Sequence, residues 1–335
     1  MQAKWKKRAR FLVKLAVTVG ILYYLLQSGK LNLTRLVLFW HHPAFLVSTL
    51  LLLVLVVVPI TALRWWMLLR ALGIRVPIGR AFHLTWIGNF FNTTLPGSVS
   101  GDFVKGFYIV KANRKGEKTK AFTTLVIDRF TGMFGLIVMA FVALLFNWPL
   151  IAAQPGLQPL ATAVAVLFAV TVFFYGIVLL RFDRGNDPFV KLLEKLPNSA
   201  FLLKVYDTFK TYQNHKGTLL GTLLLSIGVH TIISVLFFMI ARMMGVQNIA
   251  VATQMFIMPI GLITVAIPIA PGGVGIGHAA FDTLYQFGGI SGGADIFNLY
   301  IILQLAVYLL GGVFYFLYNG EYRLPDADAR EIAPP

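Results

Sequence analysis

Several apolar runs of about 20 residues dominate this chain, and runs of that length restrict the fold more than any motif does. In hydrocarbon an unpaired backbone N–H or C=O costs several kcal/mol, so such segments satisfy their own main chain as helices. Six full spans are proposed: Phe11 to Gln27, Pro43 to Leu63, Ala121 to Phe146, Pro159 to Leu180, Thr218 to Met244 and Ile296 to Tyr318. A length of 335 residues would suggest about two soluble domains. With 58% hydrophobic and only 13% charged residues, composition overrides that prior and points to an all-α polytopic membrane protein. The first run follows "KWKKRAR" and resembles a signal peptide, but it ends in bulky "YYLLQ" without an A-x-A site and reads as a retained helix.

The formal net charge is +16, yet no nucleic-acid-binding motif accompanies it. Topology accounts for the excess, because Lys and Arg collect on the cytoplasmic side of membrane proteins. With the amino terminus inside, 26 of the 29 basic residues fall on that side, leaving Lys30, Arg35 and Arg242 outside. Both termini are then cytoplasmic. This balance holds only if two further apolar segments do not cross. The first, between basic flanks, contains "TLPGSVSGDFVKG" at residues 94 to 106; the second contains "IAPGGVGIGHAAFD" at residues 269 to 282, in an interval from Met243 to Tyr322 without Lys or Arg. Each reads as a re-entrant helical hairpin with a Pro-Gly tip, the two dipping in from opposite faces.

Aligning Pro96 to Val99 with Pro271 to Val274 brings Gly73 and Gly245 within three residues of register. Opposite orientation makes the pair an inverted repeat, an arrangement that many transporters build around a midplane site. One membrane domain, residues 1 to 320, follows: repeat one at about 43 to 146, repeat two at about 218 to 318, and a cytoplasmic tail at 321 to 335. Between the repeats, about 185 to 216, apolar and basic positions alternate at helical spacing. Phe189, Leu192, Leu193 and Leu196 share a face, as do Leu202, Val205, Tyr206 and Phe209. The segment is either a pair of surface helices with Lys191, Lys195, Lys204 and Lys210 towards anionic headgroups or a solvated connector.

Non-helical backbone at membrane depth requires a shielded or hydrated cavity, and a half-helix leaving each tip offers free N–H groups and a positive dipole end to an anion. The candidate lipid-binding residues are Asn89, Asn92, Pro96, Gly97, Ser98, Gly101, Asp102, Lys105, Asp128, Arg129, Pro271, Gly272, Gly273, Gly275, His278 and Asp282. Ionisable groups inside a membrane usually mark function. Asp102 and Lys105 lie at i, i+3, where Lys105 could meet an anionic headgroup; the alternative is a capping acid and a snorkelling lysine. Asp128 and Arg129 form either an internal ion pair or an interfacial anchor. His278 and Asp282, at i, i+4, could relay protons, or His278 is simply hydrogen-bonded. Asn89 and Asn92 contact a ligand or satisfy the hairpin main chain, and His230 in the fifth span reads as structural.

Enzymatic signals are sparse: the chain has no Walker loop, no G-x-S-x-G elbow and no H-E-x-x-H. Cysteine is absent and the six His are scattered, so neither a metal nor a cofactor is expected.

In order, "GNFFNTTLPGSVSGDFVKGFYIVK", "AFTTLVIDRFTGMFGL" and "IPIAPGGVGIGHAAFDTLYQFGG" resemble the flippase-like membrane domain of lysylphosphatidylglycerol synthases and its stand-alone homologues, UPF0104, over about residues 10 to 320. The family's Asn-x-x-x-Pro-Gly and Gly-Asp motif falls on Asn92, Pro96, Gly97, Gly101 and Asp102. Its acidic-Arg pair falls on Asp128 and Arg129, and its Pro-Gly-Gly-x-Gly on Pro271, Gly272, Gly273 and Gly275. Many members carry Arg-Glu where Gly277 and His278 stand, and Arg where Lys105 stands, which implies a different headgroup preference. The aminoacyl-transfer domain of fused members is also missing, so lipid synthesis is not expected. What the resemblance implies is a non-enzymatic transporter in a bacterial or archaeal inner membrane. It would move an anionic or zwitterionic lipid between leaflets, with a separate lipid-synthesising enzyme as a partner. An intramembrane transferase or hydrolase acting on a lipid-linked substrate, or a non-transporting partner of a synthase, is the alternative.

Overall fold

The computed structural model describes residues 34–94, 99–112, 118–180, 187–197, 199–266 and 275–317. The first proposed span and both Pro-Gly tips, with Pro96, Gly97, Ser98, Pro271, Gly272 and Gly273, lie outside the described residues. Within them all regular structure is helical. Among the described residues five helices are long and apolar enough to cross a membrane, and the protein is a multi-pass membrane protein.

A short α1 (Val37–His41) leads into α2 (Pro43–Ala71). The second span therefore does not end at Leu63. Trp65, Leu68, Leu69 and Leu72 continue a buried stripe at helical spacing, and that stripe carries Arg64 into the helix interior. A wide π turn at Leu53–Val57 precedes Pro59. Proline lacks the N–H that would bond four residues back and its ring crowds that carbonyl, and the wide turn absorbs both faults.

α3 (Ile78–Thr94) and α4 (Ser100–Ala112) form the first helix pair. Gly101 and Lys105 of α4 meet Asn92 and Gly88 of α3 respectively, so the two run antiparallel. Contact is close enough that a Cβ on Gly101 would lie 1.8 Å from the Gly88 carbonyl oxygen. α5 (Lys118–Phe146), α6 (Trp148–Ala153) and α7 (Gln158–Leu179) follow, then α8 (Pro188–Leu193) and α9 (Ser199–Thr211). The second half contains α10 (Lys216–Met243), α11 (Val251–Ala266), α12 (Ile276–Phe287) and α13 (Gly293–Leu317). α11 and α12 are also antiparallel: Gly261 packs on the Phe281 ring while Gln254 bonds Tyr285. Stacked Phe237, Phe281 and Phe297 anchor that pair to α10 and α13.

The two halves share a pattern. α2 and α10 end alike, each with a left-handed glycine: Gly73 at φ 79° and Gly245 at φ 88°. In both, the next N–H reaches back to the helix, Ile74 to the Leu69 carbonyl and Val246 to that of Ala241, each at 3.0 Å. A side chain at either glycine would clash with its own carbonyl, so glycine is the residue that lets the chain turn there. Neighbour relations also match when the halves are exchanged. α2 packs on α3 as α10 does on α11, α4 on α5 as α12 does on α13, and α3 against α13 as α11 does against α5. One relation is unequal. α5 lies closely on α10, whereas α13 touches α2 lightly, near residues 43–57.

The surface segment differs in part from its expected pattern. Val190 of α8 is buried, while Leu192 and, just beyond the helix, Leu196 are exposed, as either surface helices or a solvated connector allows. Lys210, expected at headgroups, instead donates to the Leu180 carbonyl at 2.8 Å and lies 3.5 Å from Asp187. Asp187 caps α8 by accepting from the Phe189 N–H, and it accepts from the Tyr206 hydroxyl at 2.8 Å. Burial pushes the Asp187 carboxyl up, but the bonds from Tyr206 and Phe189 and the Lys210 charge outweigh it and hold the pKa below the ordinary value.

Candidate functional site

Three helices of the first half converge on a charged cluster. Arg64 of α2 donates to Asp128 of α5 through Nε at 2.7 Å and Nη2 at 3.1 Å, a two-pronged pair that fixes both side chains. Its remaining nitrogen, Nη1, donates to Ser226 Oγ of α10 at 2.9 Å. Gly132 lies beside this guanidinium; a Cβ there would sit 3.4 Å from Nη1, in ordinary van der Waals contact. Asp102, in the first turn of α4, accepts from Lys105 at 2.9 Å and from Arg129 Nε. Lys105 also lies 4.8 Å from the centre of the Trp65 ring, a cation–π contact in a site shielded from water.

Asp128 and Arg129 are thus neighbours in sequence but not partners. Successive helical residues point about 100° apart, so Asp128 faces α2 while Arg129 faces α4. Together Arg64, Lys105 and Arg129 exceed Asp102 and Asp128 by one positive charge. Arg64, Lys105, Asp102 and Asp128 are buried, whereas the Arg129 side chain is 42% exposed.

Arg129 lines a cavity of about 370 Å³. Its walls come from both halves: Val58, Thr61 and Arg64 of α2, Gly132 and Leu136 of α5, His230 and Ile233 of α10, Leu262 of α11, and Tyr300, Gln304 and Tyr308 of α13. The cavity occupies the space that α13 leaves beside α2, and the π turn of α2 contributes Leu53 and Val57 to its wall. Mostly apolar lining with a few convergent polar groups is the usual character of a ligand site. Gln304 Nε2 donates to Tyr300 Oη at 2.9 Å and Tyr308 Oη at 3.3 Å, so each phenol keeps its own proton for another acceptor. His230 Nε2 lies 3.1 Å from the Gly132 carbonyl.

The remaining candidates sit elsewhere. Asn92 Oδ1 accepts from the Gly101 N–H at 2.8 Å and so caps α4, while Asn89 is half-buried and its carbonyl receives Thr93. Gly275, at φ 92°, opens α12, and its N–H donates to His278 Nδ1 at 3.2 Å. His278 Nε2 lies 3.4 Å from Asn298 Oδ1, and its ring meets Phe297 edge-on. Asp282 is bound by Gln286 at 2.8 Å; no hydrogen bond joins it to His278 among the described residues. Nor do three His, Asp or Glu side chains converge there as a metal site would need.

Reading the sequence alone missed Arg64, counted as a loop charge, and also Ser226, Tyr300, Gln304 and Tyr308; His230 was read as structural only. The signal for Arg64 was the apolar stripe continuing past it to Leu69. Ser226 and Gln304 carry no local signal, since each gains its meaning from a distant helix.

The family model described as "Lysylphosphatidylglycerol synthase TM region" matches residues 11–314. A UPF0104 membrane protein of Pyrococcus horikoshii is 32% identical over 88 residues, 26% of this chain and 26% of that protein, so the match spans about a quarter of the relative's length. No solved structure matches.

Proposed function

The chain belongs to the lysylphosphatidylglycerol synthase TM-region family, and on that footing we propose that it is a non-enzymatic transporter moving a polar-headgroup lipid between leaflets. The observation that carries this reading is the cavity, walled by both halves of the chain and holding an accessible arginine among apolar side chains. A headgroup enters it while the acyl chains stay in lipid. The net positive cluster favours an anionic or zwitterionic headgroup. Arg129 contacts it directly, with Asp102 and Lys105 fixing that arginine and Asp128 fixing Arg64.

The helix pairs act as two re-entrant hairpins. With 17 and 13 residues in the first pair and 16 and 12 in the second, three of the four helices fall below roughly 25 Å, short of a hydrocarbon core of about 30 Å. Matching neighbour relations and the shared glycine turns support an inverted repeat. In such a repeat the tight α5–α10 contact and the loose α13–α2 contact are the two sides of one alternating-access cycle. We place the protein in the cytoplasmic membrane with both termini inside, on the distribution of Lys and Arg.

The test is reconstitution into liposomes carrying fluorescent-headgroup lipids, with dithionite quenching to report the outer leaflet and mass spectrometry to report lipid chemistry. Headgroup movement without chemical change, lost in Arg129→Ala, is the expected result. A chemically altered lipid indicates the transferase or hydrolase reading instead, and neither change refutes both.

A further inference from the structure

Resting on the lipid-transport reading, we propose that His230 selects the headgroup, by accepting a hydrogen bond from an N–H or O–H of the lipid. The argument begins with the tautomer. The Gly132 carbonyl can only accept, so the Nε2 atom 3.1 Å from it carries the ring proton. Nδ1 is then a bare acceptor. It is buried and finds no hydrogen-bond partner among the described residues, while the side chain belongs to the cavity wall. A buried acceptor left without a donor is costly, and a ligand in the cavity that His230 lines relieves that cost by bringing a donor to Nδ1.

Other parts of the wall have the complementary chemistry. Both phenols held by Gln304 retain a proton to donate, and Arg129 adds a cation. One wall thus accepts and the others donate. The matching ligand presents anionic oxygens to Tyr300, Tyr308 and Arg129, and a hydrogen-bond donor to His230. A phosphodiester headgroup ending in an amine or a hydroxyl has both features; a trimethylated amine lacks the donor.

Short-chain soluble lipids test this on the full chain in detergent by calorimetry, comparing phosphatidyl-N,N-dimethylethanolamine with phosphatidylcholine. The two differ by one methyl, which replaces the last N–H. Wild type should bind the dimethyl lipid about tenfold more tightly. His230→Gln, which keeps both a donor for Gly132 and an acceptor for the ligand, should retain the preference, and His230→Phe should lose it. Equal affinity in wild type, or a preference that survives His230→Phe, overturns the inference and leaves lipid binding intact. Failure of wild type to bind either lipid overturns this inference, while the liposome assay above decides the transport reading separately. Should His230→Phe not fold, wild type and His230→Gln still decide: equal affinities in wild type, or loss of the preference in His230→Gln, overturn it.

Discussion

Removing one member of the Arg64–Asp128 pair should cost far more than removing both. The pair is buried on both sides, joined by two bonds at 2.7 and 3.1 Å. Arg64→Met leaves the Asp128 carboxylate charged in a dry site, a loss of about 3–5 kcal/mol. The double variant Arg64→Met, Asp128→Leu removes both desolvation penalties, and Ser226 stays satisfied because it donates to the Thr222 carbonyl at 2.9 Å. Its stability should lie within about 1 kcal/mol of wild type. With a comparable loss for Asp128→Leu, which strands the Arg64 cation, the expected coupling in the cycle is about 5–10 kcal/mol. Steric trapping measures this without denaturant, and a chain lacking cysteine accepts the two biotinylated thiols directly. A double variant no more stable than the worse single, or singles within about 1 kcal/mol of wild type, would refute the reasoning.

Three further outcomes are expected. Gly101→Ala should force α3 and α4 apart and destabilise by about 1–3 kcal/mol or more, whereas Gly79→Ala, with nothing within 4 Å of its Cβ, should change stability by about 0.5 kcal/mol at most; thermal shifts of the two separate these cases. Asp102→Leu, which leaves Lys105 and Arg129 without their shared carboxylate, should be more destabilising than Arg129→Leu, because Arg129 is partly solvated and Asp102 would keep Lys105; the reverse order in the same steric-trapping assay contradicts the assigned hub. Because the folded Asp187 carboxyl is held below its ordinary pKa, its stabilisation of the α8–α9 segment is complete above about pH 4 and is lost as pH falls through the lower folded value. Hydrogen exchange corrected for intrinsic rates should show protection of α8 and α9 collapsing only in that acid range, with Asp187→Asn weaker at pH 7 and flat with pH.

Apolar run length made four of the five described spans legible within a few residues, and the start of the other, because burial in lipid leaves a continuous local signal. The error at Leu63 has a physical cause: a charge ordinarily ends a span, but Arg64 has a carboxylate 64 positions away in sequence, and no local pattern reports that. For the same reason Asp128 and Arg129 read as one unit when each serves a different helix. The glycine motif drew attention to Gly101, whose role is the closeness of α3 and α4, while His230 looked inert because its neighbours in sequence are apolar. Gly73 and Gly245 show the opposite case, a weak similarity in sequence that coincides with identical main-chain turns.

Where the strong and weak ties fall bears on whether the halves can move. Arg64–Asp128 joins α2 to α5 and Arg129–Asp102 joins α5 to α4, so the first half is braced internally by charge. Tyr285–Gln254 and His278–Asn298 brace the second half in the same internal way. Across the closed α5–α10 contact and its neighbour α2 run single hydrogen bonds, Arg64 to Ser226 and His230 to Gly132. Each is worth on the order of 1 kcal/mol net, somewhat more where charge is involved. Apolar packing between the halves adds no hydrophobic barrier to sliding in lipid, where tails replace side chains at little cost. Opening the α5–α10 contact, the motion proposed above, would break ties of this kind and spare the ion pairs, provided that α13 stays with α3 and α11 with α5, the close packings that also link the halves. His230 is one of those weak ties and also the lipid acceptor proposed above, so a bound headgroup and the closed contact act on the same imidazole.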